Sequence, residues 1–169
     1  MLTEPLGVYL NDHLAGSVAA LRMMDELAER ERGKPLEATL RALHAEVSEE
    51  QGVLRELLAR IETDENRLKQ AAAWVAEKVG QGKLALSART HPDLATLQGL
   101  ESLVLGLHGK LSLYRALGEI ALSDQRLAGY DFHALAGRTL EQQTMVEGER
   151  VTAARSALRS AAREQTPDN

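Results

Sequence analysis

The chain contains no cysteine. Disulfides, thiolate nucleophiles and thiolate metal sites are therefore excluded, and any metal has to be held by carboxylates and imidazoles. Aromatic residues are scarce, with one Phe, one Trp and three Tyr among 169 residues. An aliphatic, aromatic-poor core suits helix-on-helix packing better than a β-sandwich. It also offers little surface to clasp a flat cofactor. No stretch approaches the roughly 20 apolar residues that span a bilayer, so no membrane partner is expected. The opening MLTEPLGVYLNDHL has neither a basic stretch nor an unbroken apolar run, so no signal peptide is expected and a cytoplasmic location is. Positive charge is not in excess. A net charge of −5 and a pI near 5.6 argue against a nucleic-acid partner, which needs a basic surface to displace counterions.

Catalytic motifs are missing too. There is no dinucleotide fingerprint, nucleophile elbow or HExxH. Gly106–Leu111 carries a Gly-Lys pair, but Leu follows the Lys and the stretch lies within a helical pattern, so it is no phosphate loop.

What the chain does have is helical periodicity. Apolar residues make up 44% and charged residues 27%, enough for one domain over residues 1–169 with a substantial core. Four long helices are predicted, over about 4–31, 35–62, 92–122 and 131–163. Pro5, Pro35 and Pro92 suit first helical turns, and Gly33 suits a left-handed helix end. Thr3, either Thr90 or His91, and Asp131 are candidate caps. Tyr130 and Leu135 have the spacing of a hydrophobic staple. A shorter helix over about 65–79, with Ala71, Trp74, Val75 and Val79 on one side, is placed in a crossover between the second and third long helices. An up-and-down arrangement is the alternative.

The first long helix has the seam Leu6, Leu10, Leu14, Ser17, Leu21, Met24 and Ala28. The second has Leu36, Leu40, Leu43, Val47, Glu50, Leu54, Leu57 and Ile61, with spacings alternating four and three. Glu50 thus sits near the centre of an apolar stripe, where an unpaired carboxylate costs several kcal/mol and must be neutralised, hydrogen-bonded or metal-bound. The third helix has a main face of Leu97, Leu100, Val104, Leu107, Leu111 and Tyr114. Its other side, with Gly99, Ser102, Leu105, Gly106, Gly109 and Leu113, is small or apolar, so it is expected to be covered by the Trp74 segment or a second subunit. A homodimer is the partner this implies. The last helix has two competing seams. One is Phe132, Leu135, Thr139, Gln142, Val146, Glu149, Ala153, and the other Leu140, Thr144, Glu147, Val151, Ala154, Leu158.

Glu50, Glu101, His108 and Glu147 (or Glu149) are the candidate metal ligands, with Glu46 one turn before Glu50. Carboxylates and imidazoles converging inside a bundle are the usual way to hold two iron or manganese ions, with Glu-x-x-His on two of the helices. No Glu-x-x-His occurs in this chain. The competing reading makes Glu50 a satisfied buried residue bonded to Gln142, Thr139 or His108, and leaves Glu101 and His108 half in water. His13, His44 and His133 lie off the seam centres. Asp25 is expected to pair with Arg22 or Arg41.

Three stretches, Tyr9–Gly16, Ala71–Val79 and Leu107–Arg115, resemble a group of uncharacterised bacterial ferritin-like proteins. The resemblance implies a ferritin-like four-helix bundle with a crossover between the second and third long helices. It does not imply iron storage. Two functions follow as expectations. One is a non-catalytic structural or interaction protein without a cofactor. The other is a divergent iron- or manganese-binding bundle with weak oxidase or peroxide-handling activity.

Overall fold

A computed structural model describes residues 4–61 and 91–163, the last four of them by backbone alone. Four long helices account for most of these residues: α1 (Pro5–Arg30), α2 (Pro35–Ile61), α3 (Pro92–Ile120) and α4 (Phe132–Arg163). A 3-10 turn, Gln125–Leu127, lies before α4. Among the described residues there is no strand, and no helix is long and apolar enough to cross a membrane. The helix at 65–79 and the cap Thr3 lie outside the described residues.

Local chemistry sets the helix ends. Pro5 and Pro92 occupy first turns, where a missing N–H costs nothing. Gly33 turns the chain between α1 and α2 at φ +79°, and its N–H donates to the Glu37 carboxylate at 2.8 Å. Asp131 caps α4 by accepting from the Ala134 N–H at 2.8 Å. His91 stands at the cap position of α3 but makes no cap bond with its side chain. Asp25 meets His44 at 3.5 Å rather than an arginine, because Arg41 is drawn to Glu29 and Glu37.

Side chains from all four helices form two layers of core. Leu10 and Leu14 of α1, Leu57 and Ile61 of α2, Leu113 and Leu117 of α3, and Phe132 of α4 share one end. Met24 and Leu27 of α1, Leu40 and Leu43 of α2, Leu100 and Leu103 of α3, and Val146 of α4 share the other. Each fully buried leucine stabilises by about 1.5–3 kcal/mol relative to exposure. The numbering within these layers fixes the directions. α1 and α2 are antiparallel, and so are α3 and α4, whereas α2 and α3 run the same way. Each is about 40 Å long at 1.5 Å per residue. The chain therefore leaves α2 at one end of the bundle and begins α3 at the other. At the first end, Arg60 donates to the Ala128 carbonyl at 2.9 Å and lies over the Tyr130 ring, tying α2 to the loop before α4.

The structure bears on two expectations about faces, though the Trp74 segment expected to cover α3 lies outside the described residues. In α4 the seam through Thr139, Gln142 and Val146 is buried, while Leu140 and Leu158 of the competing seam are exposed. In α3 the small-residue side divides. Gly99 packs under Leu27 of α1, and Leu105 points out, 73% exposed.

Candidate functional site

Glu50 is buried, 2% exposed, midway along α2. One carboxylate oxygen accepts from the Lys110 ammonium of α3. The other accepts from Gln142 Nε2 of α4 at 3.1 Å. Gln142 itself accepts from Lys110 through Oε1 and donates to Glu46 Oε2 at 2.8 Å. Arg138, one turn before Gln142, holds Nε at 3.6 Å from Glu50 and 3.8 Å from Glu46, and bonds Glu49 at 3.1 Å. Two cations thus face three carboxylates across three helices, with Gln142 linking Lys110 to Glu46 and Glu50. This is what makes a carboxylate tolerable in an apolar stripe. Thr139 takes no part, since its hydroxyl donates to the Leu135 carbonyl at 2.9 Å.

Burial pulls the Lys110 ammonium below the ordinary lysine value, and the neighbouring Glu50 carboxylate opposes that. Burial pushes the Tyr114 hydroxyl well above its ordinary value, and Glu50 pushes it the same way. Tyr114 is 1% exposed, and its hydroxyl has no hydrogen-bond partner among the described residues.

The candidate metal ligands do not come together. Glu101 and His108 are exposed on the outer flank of α3, because its inner face is taken by Leu100, Leu103 and Leu107. Glu147 is exposed on α4, because the helix turns its other seam inward. Arg150 stands between the two acids, 3.7 Å from Glu101 and 2.7 Å from Glu147. Glu149 bonds Thr39 of α2 at 3.1 Å. Among the described residues, no group of three or more His, Asp or Glu side chains is arranged to hold a metal. The centre of the bundle does not suit iron or manganese. Lys110 and Arg138 already supply positive charge to its carboxylates, and among the described residues no imidazole bonds to them.

Lys110 and Arg138 were not among the candidates, though a signal for Lys110 was present. Leu103, Leu107, Lys110, Tyr114 and Leu117 repeat the four-three rhythm of the α2 stripe, with a cation where α2 has its acid. Reading α3 through Val104 and Leu111 instead moves Lys110 off the seam.

Beside this cluster, between α1, α2 and α3, lies a cavity of about 230 Å³. Glu50, Lys110 and Tyr114 stand at its inner end, and Met24, Val47, Leu54, Leu103 and Leu107 form much of its wall. Asp12, His13, Gly16, Gly106 and Gly109 lie towards the solvent side. A Cβ added at Gly16, Gly106 or Gly109 would meet nothing within 4 Å, so these glycines leave space rather than admit a neighbour. Two further polar groups in the lining are satisfied. Gln51 donates to Ser17 at 2.9 Å, and Ser17 donates to the Leu14 carbonyl at 2.8 Å. Burial holds the His13 imidazole below its ordinary value, with Asp12 opposing.

Fold and site together define an all-α four-helix protein with a salt-bridged centre and an adjoining cavity. The chain matches no known protein family, no curated protein and no solved structure at a significant level.

Proposed function

We propose that this chain is a non-catalytic, ferritin-like helical bundle that serves as a structural or interaction protein. The observation that carries this reading is the pairing of Glu50 with Lys110. A side-chain ammonium stands among the central carboxylates, where a metal-dependent bundle would place its ion. The ferritin-like assignment is supported by α2 and α3 running in the same direction, which calls for a long overhand connection between them. A cytoplasmic location fits the sequence.

Elemental analysis of protein purified without chelator, followed by titration with Fe(II) and Mn(II), tests this. The expected result is no stoichiometric uptake by the wild-type protein or by Glu50→Gln. Stoichiometric uptake that disappears in Glu50→Gln would overturn it in favour of the metal-binding bundle.

The same reading includes a homodimer. Its support is the exposed Leu105 on α3, with Leu140 and Leu158 exposed on the neighbouring α4. Light scattering coupled to size-exclusion chromatography checks the mass, and a clean monomer at micromolar concentration contradicts the dimer.

A further inference from the structure

We propose that the cavity between α1, α2 and α3 is a binding site for a small neutral aliphatic molecule, such as a medium-chain ketone. Three features of the cavity point to this ligand.

The first is space. An apolar cavity of about 150 Å³ takes up benzene. One of about 230 Å³ accordingly has room for roughly nine non-hydrogen atoms. Gly16, Gly106 and Gly109 keep it open, since any side chain there would project into free space.

The second is the wall. Met24, Val47, Leu54, Leu103 and Leu107 are aliphatic, and among the described residues Tyr114 alone of the Phe, Trp and Tyr side chains lines the cavity. A flexible alkyl chain fits such a wall better than a flat ring system does.

The third is the polar end. Lys110 and Arg138 at this end already face Glu50, Glu46 and Glu49, so each cation is already paired. A ligand carboxylate would add a negative charge beside Glu50 with no free cation to meet it. The ligand is therefore neutral.

Isothermal titration of the full chain with 2-octanone, and separately with octanoate, tests the proposal. The expected result is saturable one-to-one binding of 2-octanone and weaker binding of octanoate. Gly106→Leu and, separately, Gly109→Leu are expected to abolish binding, with circular dichroism confirming that each stays helical. No saturable binding of 2-octanone to the wild-type protein would overturn the site. Undiminished affinity in both folded leucine variants would do the same, because the ligand would then lie elsewhere. Tighter binding of octanoate would remove the ligand's neutrality from the assignment.

Discussion

Glu50 of α2 and Lys110 of α3 face each other at the centre of the bundle, on two helices that run in the same direction. Each interrupts the apolar stripe of its own helix, so each would be a defect without the other. Gln142 from α4 bonds both and keeps the pair in register.

Lys110→Met is expected to lower stability by about 3 kcal/mol. Removing one member of a buried ion pair typically costs about 3–5 kcal/mol, and Arg138, 3.6 Å from Glu50, compensates in part. The double variant Glu50→Leu with Lys110→Met is expected to lie within about 1 kcal/mol of wild type, since an apolar pair needs no desolvated charge. Urea denaturation of the wild-type, single and double variants gives the coupling. A double variant whose loss equals the sum of the two single losses would show that the two side chains act independently.

Tyr114→Phe is expected to leave stability unchanged or raise it by up to about 1 kcal/mol. The substitution removes a buried hydroxyl that has no partner and keeps the ring in place. Chemical denaturation measures it. A loss beyond about 1 kcal/mol would mean that the hydroxyl makes a bond in solution.

Gly99 and Gly106 are one heptad apart on α3, yet alanine should act on them in opposite ways. At Gly99 a Cβ would lie 2.8 Å from one Leu27 methyl carbon and 3.2 Å from Leu27 Cγ. Leu27 is fully buried, and displacing it costs about 1–3 kcal/mol. At Gly106 the Cβ meets nothing, so Gly106→Ala should gain about 0.5–1 kcal/mol of helix propensity. Thermal unfolding of the two variants side by side decides the matter. Equal effects would contradict the close contact at Gly99.

Stability should fall as the pH drops from 7 to 5. His13 has a folded-state pKa below its ordinary value of about 6.5, because burial disfavours the charged imidazole. The unfolded chain therefore takes up the proton first, and acid favours unfolding. Asp12 works in the opposite direction and reduces the effect. His13→Gln should flatten the dependence of melting temperature on pH across this window. An unchanged slope would place its origin in other groups.

Much of this architecture was legible residue by residue. Pro35, Pro92, Gly33 and Asp131 mark helix ends through their own backbone and capping chemistry, which needs no tertiary context. The α2 stripe predicted that Glu50 is buried, and Gln142 was among its expected partners. Other features were not legible. Gly99 and Gly106 look alike in the chain, and only the position of Leu27 separates them. Glu147 and Glu149 lie on rival seams of α4, and periodicity ranked neither above the other. Lys110 carried a periodic signal, but α3 is apolar on so many sides that two phases fitted it.

The sequence by itself determined four long helices and a carboxylate that must lie inside, because helical period and end signals are properties of one segment at a time. The tertiary structure decided what answers that carboxylate and where space remains. Those depend on how far each helix is rotated and slid against its neighbours, which the packing of all the side chains sets jointly.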